Sequence, residues 1–205
     1  PLAPEPEVAL RVVYADANVI AVDKPGGVAG HALDPRQRGT IAAALLARHP
    51  ELATVGDPLA PGLVHRLDTG TSGVLLPARS TDVHRTLRAA FRDHEVGKRY
   101  VAIVAGAPAP GTVIDAALAH DPRDRRRMRI ARPTDRAWPA RTHILAVERH
   151  GDRAWIEIEM RTGVTHQIRA HLAHAGHPVV GDALYGGPNA ALAPGRHALH
   201  ARRLE

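Results

Sequence analysis

The sequence predicts an α+β fold with a mixed, mainly antiparallel sheet and flanking helices. Short runs rich in Val, Ile and Tyr occur in neighbouring pairs with tight polar connections, as in β-hairpins. Three longer segments carry apolar residues at helical spacing with capping residues before them. At 205 residues the chain is long enough to bury a core, in one domain or in two lobes that share a cleft.

The composition excludes several classes of protein. No apolar run reaches the roughly 18 residues of a membrane span, so we expect neither a transmembrane helix nor a secretory signal. The absence of cysteine excludes disulfides, thiolate metal sites and a cysteine nucleophile, and it fits a reducing cytoplasm. The first residue is not Met and both ends are abrupt, so we expect a trimmed chain.

The first elements are a lead-in and a hairpin. Residues 1–7 contain three prolines and two glutamates, which predicts a flexible segment ahead of a domain formed by residues 8–205. Residues 8–14 and 19–23 are β-rich runs joined by a short polar connection, which predicts two paired strands. The turn Lys-Pro-Gly-Gly at residues 24–27 ends the second strand.

Two helices follow in the first half of the chain. Thr40 is a suitable N-cap for a helix over residues 41–48, which His49-Pro50 ends. Ser80 caps a second helix over residues 81–92. We expect this helix to pack on a sheet through four apolar residues and to expose three arginines. These are Val83, Leu87, Ala90 and Phe91, and Arg85, Arg88 and Arg92.

The segment between these helices holds the polar residues that a hydrophobic core would not select. In residues 63–76 two apolar runs flank a loop that contains Arg66 and Asp68, with Gly70 and Gly73 as turn formers. One interpretation is a hairpin whose Asp and Thr side chains bond their own turn. The other is a loop that presents a reactive carboxylate.

Strands dominate the second half. Residues 98–104 form a strand that carries Tyr100, either as a half-buried packing residue or as a functional aromatic. Residues 143–149 and 154–160 form a hairpin, in which Glu157 and Glu159 share one face. That carboxylate pair permits a glycosidase site, although the solvated face of a sheet is the simpler explanation.

Positive charge is concentrated in one segment of a chain whose formal net charge is +6. Residues 123–136, within a stretch of strands and a long basic loop, hold seven arginines against two aspartates. Such clustering is typical of proteins that bind a phosphate backbone, and the alternative is a solvated loop in an Arg-rich chain. The arginines are Arg123, Arg125, Arg126, Arg127, Arg129, Arg132 and Arg136.

A third helix is predicted over residues 165–175, ended by Gly176. His171, His174 and His177 follow at intervals of three, which permits a zinc hypothesis. We expect no metal, because a tetrahedral site needs further ligands and His177 lies beyond the glycine that ends the helix.

Several of these segments resemble the motifs of one enzyme family. His-Arg-Leu-Asp-x-x-Thr-Ser-Gly, which begins at His65, resembles the active-site signature of the RluA-type pseudouridine synthases, enzymes that isomerise uridine within RNA. Four further motifs resemble those of the family in order, over nearly the whole chain. They are Lys-Pro-x-Gly at 24–27, Lys-x-Tyr at 98–100, Thr-Gly-x-x-His-Gln-Ile-Arg-x-His-Leu at 162–172, and Gly-Asp-x-x-Tyr-Gly at 181–186.

The resemblance implies the roles of the site residues. Asp68 corresponds to the catalytic carboxylate and Arg66 to an arginine that enters the RNA near the target base. Tyr100 corresponds to the tyrosine that stacks on the uracil, and Arg169 to the arginine that pairs with the catalytic aspartate. We expect the basic segment to hold the RNA backbone beside a basic catalytic cleft, through Arg123, Arg125, Arg126, Arg127 and Arg129.

The resemblance also implies the partners. The reaction needs no cofactor and no metal, and the expected substrate is structured RNA, ribosomal or transfer, in the cytoplasm and without a membrane. We expect a monomer, and no S4 RNA-binding domain is recognisable. Asp68 serves either as a nucleophile at C1′ of the ribose or as a base at C2′.

Val164 departs from the pattern, because most members of the family carry Arg at this position. This substitution supports an alternative, an RNA-binding pseudoenzyme without turnover. A further alternative is a glycosidase that acts on free nucleosides, for which the arginine cluster would have no evident use.

Overall fold

The chain divides into two units, Pro1–Val96 and Gly97–Glu205, in the computed structural model. The structure describes residues 2–188, 192 and 195–205. Each unit combines helices with strands, and among the described residues every pairing of named strands within a unit is antiparallel. These observations confirm the predicted α+β class and the antiparallel strand arrangement.

The first unit is built on a sheet in which β2 lies between β1 and β5. Its elements in chain order are β1 (Arg11–Ala15), β2 (Ile20–Lys24), α1 (Ile41–Arg48), the 3₁₀ turn Pro50–Thr54, β3 (Gly56–Asp57), β4 (Ala60–Pro61), β5 (Ser72–Leu75) and α2 (Thr81–Arg92). The short strands β3 and β4 pair with each other.

Strand β1 is exposed and forms the edge of this sheet. Val12, Val13 and Tyr14 are among the most exposed large hydrophobic residues of the described chain. The register with β2 shifts between Val12 and Tyr14, so Val13 is an extra residue without an opposite partner on β2. The predicted hairpin is therefore present, and a β-bulge interrupts it.

The described part of the lead-in packs on α1, whereas its composition predicted a flexible segment. Leu2 and Glu5 are almost fully buried. The backbone N–H of Glu5 donates to Ala43 O at 3.1 Å, and its carboxylate accepts from the N–H of Gly39 at 2.7 Å. A proline-rich composition predicts a flexible segment, because it does not show that Glu5 can bond the start of a helix.

Both predicted helices of this unit have the predicted bounds. Thr40 Oγ1 accepts from the N–H of Ala43 at 3.1 Å, and Ser80 Oγ accepts from the N–H of Val83 at 3.3 Å, so both N-caps are made. Helix α1 is buried along most of its length, whereas α2 has no fully buried residue. No helix of the described residues has both the length and the apolar character required to cross a membrane.

The second unit is a five-stranded sheet in the order β12–β6–β11–β10–β7 with a separate hairpin, β8–β9. Its elements are β6 (Lys98–Ala105), β7 (Val113–Asp115), β8 (Leu118–His120), β9 (Met128–Ile130), β10 (Arg141–His150), β11 (Arg153–Met160), α3 (Gln167–His174) and β12 (Leu199–Leu204). Ile156 and Ile158 of β11 are fully buried, whereas Glu157 and Glu159 are half-buried, as the alternation predicted.

Helix α3 begins at Gln167, two residues after the predicted start. The cause is His166, which adopts the left-handed conformation with φ = 55° and therefore cannot lie within a right-handed helix. The Gln167 side chain is buried, accepts from the N–H of Val164 and donates to Arg141 O and Thr142 Oγ1. These bonds hold the start of α3 against β10.

Candidate active-site elements

Asp68 lies in the loop between β4 and β5 in the first unit. Leu67 is buried, whereas Arg66 before it is exposed and Asp68 after it is half-buried. The N–H of Thr71 donates to Asp68 O at 3.0 Å and closes a turn. One buried leucine therefore anchors the loop, and the two charged candidates flank it.

Lys24 connects the Lys-Pro-Gly-Gly turn to this loop. Its side chain is fully buried, and its ammonium donates to the carbonyls of Pro25, Val28 and Thr69 at 2.9, 2.7 and 3.0 Å. The Thr69 carbonyl also accepts from the N–H of Gly27 at 2.8 Å. A buried cation requires such partners, and here they fix the peptide next to Asp68.

Contacts with α2 fix the beginning of the loop. The His65 ring stacks on Phe91 with centroids 4.8 Å apart and planes at 14°. Its Nε2 accepts from the N–H of Leu76 at 3.1 Å, and Arg88 donates to Val64 O at 3.3 Å. Arg88 is exposed, as the helical spacing predicted, and this bond means that its guanidinium also contributes to holding the loop.

Arg169 forms an ion pair with Asp182 inside the second unit. Nε donates to one carboxylate oxygen at 2.6 Å and Nη2 to the other at 2.9 Å. The side chains are only 8% and 1% exposed. Burial alone would raise the pKa of Asp182, but the hydrogen bond and charge of Arg169, with a further contribution from His197, outweigh burial and lower it.

Tyr185 lies beside this ion pair. Its ring centroid is 5.1 Å from the Arg169 guanidinium carbon and 5.3 Å from that of Arg127. Its hydroxyl oxygen accepts from the N–H of Met128 at 2.7 Å and lies 3.1 Å from His166 Nδ1. Tyr185 therefore contacts both the basic segment and the start of α3.

The predicted basic segment is the hairpin β8–β9 with the residues after it, and two of its arginines are paired within it. Arg126 binds Asp124 through Nε and Nη2 at 2.9 and 2.8 Å, and these hydrogen bonds lower the pKa of Asp124 to about 2. Arg129 binds Asp135 through two nitrogens at 2.8 and 3.0 Å. Arg123 and Arg125 are exposed without a described carboxylate within ion-pair distance. The arginines of this segment thus differ in whether a carboxylate lies beside them.

Tyr100 lies on β6 and is 6% exposed. It is opposite Ile158 of β11 and Ala201 of β12. Its position within the sheet gives it a fixed backbone. The burial agrees with the packing interpretation and leaves the role at a uracil as a proposal.

His171, one of the three histidines of the zinc hypothesis, is buried among hydrogen-bond partners. Its Nδ1 lies 2.9 Å from Thr142 Oγ1 and its Nε2 lies 2.9 Å from Ala116 O. Burial lowers the pKa of His171, although the bond to Ala116 opposes this effect. Among the described residues, no group of three or more His, Asp or Glu side chains is arranged to hold a metal ion.

Sequence reasoning missed three residues of these elements. Lys24, Asp182 and Tyr185 were seen only as parts of motifs, and no role was derived for them. The signal was available for Asp182, because a carboxylate one glycine after the apolar pair Val179-Val180 is burial-prone and therefore needs a cationic partner.

Comparison with known proteins identifies the family. The family model for RNA pseudouridylate synthase matches residues 18–174. An uncharacterized RNA pseudouridine synthase of Chloroflexus aurantiacus is 44% identical over 89% of this chain and 56% of its own length. Ribosomal large subunit pseudouridine synthase D of Xylella fastidiosa is 40% identical over 88% of this chain and 53% of its length. The chain thus spans about half the length of these relatives.

A solved structure supports the same family. Human RNA Pseudouridylate Synthase Domain Containing 1 matches with a TM-score of 0.77 and 27% identity, over 99% of this chain and 80% of that one. Residues 18–174, which the family model matches, include the Asp68 loop, Tyr100, the basic hairpin and Arg169, whereas Asp182 and Tyr185 lie beyond them. The chain therefore belongs to the RNA pseudouridylate synthase family.

Proposed function

We propose that this chain isomerises specific uridines in RNA to pseudouridine, with Asp68 as the catalytic carboxylate. The observation that carries the proposal is the anchored His-Arg-Leu-Asp loop within the region that matches the family. A half-buried carboxylate on a loop that Lys24 and Leu67 hold in place is suited to act at a single atom of a bound substrate.

The reaction breaks the N1–C1′ bond, turns the uracil and joins its C5 to C1′. The proton lost from C5 is balanced by the proton gained at N1, so the product is an isomer and no oxidant or energy source is needed. Asp68 adds to C1′ or removes the C2′ proton, and both routes require its ionised form.

Three further residues complete the proposed site. Arg66 is exposed and carries a planar charged group, so it is suited to fill the space that a flipped base leaves and to contact phosphate. Tyr100 stacks on the uracil. Arg169 stabilises the ionised form of Asp68, and Asp182 holds two of its nitrogens in position.

The proposed substrate is structured RNA. The basic hairpin supplies arginines for its phosphates, and several relatives carry a name that refers to the large ribosomal subunit, which favours ribosomal RNA over transfer RNA. We propose a cytoplasmic monomer that uses neither a metal nor an organic cofactor, because the isomerisation itself requires none.

The test is tritium release from bulk RNA that contains uridine labelled at C5. The wild-type chain should release tritium and form pseudouridine, and Asp68→Asn should abolish both. Asp82→Asn, which alters an exposed aspartate of α2 paired with Arg85, serves as the matched control and should retain activity. Addition of a metal chelator should leave the release unchanged.

Other outcomes distinguish the alternatives. RNA binding without tritium release would favour a pseudoenzyme, in which Val164 replaces the expected arginine. Val164 packs against the cluster of Leu118, Met128 and Tyr185, so this side chain contributes to packing. Release of free uracil from nucleosides would instead indicate a glycosidase and would refute the proposal.

A further inference from the structure

The side chain of Arg127 differs from those of the other arginines in its hairpin. Its guanidinium carbon lies 5.3 Å from the Tyr185 ring centroid, a distance typical of a cation–π contact. No described carboxylate lies within ion-pair distance of it, and its buried Nε has no hydrogen-bond acceptor among the described residues. The structure therefore holds this positive charge in place without a direct ion pair, although the Asp124 carboxylate is close enough to interact with it electrostatically.

Tyr185 is itself held from several sides. Its hydroxyl oxygen accepts from the buried N–H of Met128, the residue after Arg127, at 2.7 Å. The hydroxyl oxygen also lies 3.1 Å from His166 Nδ1, a contact in which the donor depends on the tautomer of the ring. The ring packs in a buried cluster with Leu118, Met128 and Ala170. Tyr185 thus binds both the backbone and the side chain of the hairpin at adjacent residues.

The neighbouring arginines lack this combination. Arg126 and Arg129 have carboxylate partners that reduce their attraction for an anion. Arg123 and Arg125 are exposed, so a phosphate that binds them must order a long side chain at a cost in conformational entropy. Arg127 is half-buried against an aromatic ring and has already lost much of this freedom.

We propose that Arg127, held on the Tyr185 ring, is a preorganised ligand for a backbone phosphate of the RNA, and that Tyr185 is the positioning residue for this contact. The inference rests on the proposed function, since it assigns a role within RNA binding. The Tyr185 ring also contacts Arg169, with 5.1 Å from centroid to guanidinium carbon. A phosphate bound by Arg127 is therefore fixed relative to the helix that carries Arg169.

The first test measures RNA affinity for variants of Arg127 at several salt concentrations. Arg127→Met should weaken binding about tenfold, the loss expected for one charge-assisted contact. The slope of log K against log salt should fall by about one unit. Arg127→Lys should recover little of the loss, because Lys keeps the charge without the planar group. At exposed Arg125 the same change to Lys should be nearly neutral.

The second test is a double-mutant cycle with Tyr185→Leu, which removes the aromatic ring on which Arg127 lies and keeps an apolar side chain. Arg127→Met should cost much less affinity in this background than in the wild type, whereas Arg125→Met should cost the same in both. Tyr185→Leu should raise KM for RNA more than it lowers kcat. If the Tyr185 variant does not fold, the comparison of Arg127→Lys with Arg125→Lys still tests whether Arg127 is a preorganised phosphate ligand.

Two results would overturn the inference. One is full rescue of binding by Arg127→Lys, and the other is an Arg127→Met effect that is equal in both backgrounds. Failure of the proposed function is distinguishable, because it would appear as a wild-type chain that binds RNA without forming pseudouridine.

Discussion

Arg169 and Asp182 form a buried ion pair in which Nε and Nη2 of the guanidinium each bind a different carboxylate oxygen. The pair joins α3 to the turn that follows it, and it sets the rotamer of an arginine that the sequence motif links to catalysis. The resemblance to the family implied one ion-pair partner for Arg169, the carboxylate of Asp68. The structure shows that Asp182 binds two of the three guanidinium nitrogens and thereby orients the group, whereas the pairing with Asp68 stays a prediction.

Asp182→Asn should destabilise the fold strongly. The substitution leaves the Arg169 charge buried with a neutral partner, and breaking a buried ion pair typically costs about 3–5 kcal/mol. Urea unfolding measures the loss. The matched control is Asp135→Asn, which breaks the more exposed pair with Arg129 and should cost much less. Equal losses for the two variants would contradict the assigned role of burial.

Lys24→Met should impair catalysis through the Asp68 loop. The variant removes the donor that three carbonyls share, including that of Thr69, so we expect kcat to fall more than about tenfold. Hydrogen exchange of the Gly27 amide, which donates to the same Thr69 carbonyl, should become faster. Lys98→Met alters the other buried lysine and should leave the Gly27 amide protected. Unchanged exchange in Lys24→Met would refute the link.

The pH dependence of stability should reveal Lys98. Burial lowers the pKa of Lys98 from 10.5 to about 8. Between about pH 8 and 10.5 the unfolded chain therefore binds more protons at this residue than the folded chain does, so the free energy of unfolding should rise with pH across this window. Urea unfolding at several pH values should show a smaller rise in Lys98→Met than in the wild type. Parallel curves would show that the ammonium is not desolvated by the fold.

The two helix caps should differ in strength. Thr40→Ala leaves the buried N–H of Ala43 without its acceptor, and we expect a loss of about 1–2 kcal/mol in the free energy of unfolding. Ser80→Ala removes the same type of bond at an exposed helix start, where water replaces the hydroxyl, so a loss of about 0.5 kcal/mol is expected. Urea unfolding tests both variants, and a larger loss for Ser80→Ala would contradict this argument.

Local rules predicted the elements that depend on local interactions. The bounds of α1 and α2 followed from Thr40 and Ser80 as caps and from the apolar spacing after them. The start of α3 was wrong by two residues, because the left-handed backbone of His166 is a tertiary feature with no signature in a histidine.

The electrostatics of the site depended on contacts that sequence does not reveal. The charge of the basic segment was visible, but the pairing of Arg126 and Arg129 with neighbouring aspartates depends on how the hairpin turns. The bond from Lys24 to Thr69 joins residues 45 positions apart, and only the folded chain brings them together. The proposed roles of Asp68, Tyr100 and Arg66 remain predictions of the motif.

The bulge in β1 has a consequence for how the molecule behaves at high concentration. Val12, Val13 and Tyr14 form an apolar border with open backbone groups, which is the kind of strand that recruits a second chain. The extra residue at Val13 interrupts the regular spacing of the backbone donors and acceptors of β1. An incoming strand therefore cannot form hydrogen bonds along the full length of β1. Deletion of Val13 would remove the bulge and leave a regular edge strand, which a second chain could extend by self-association.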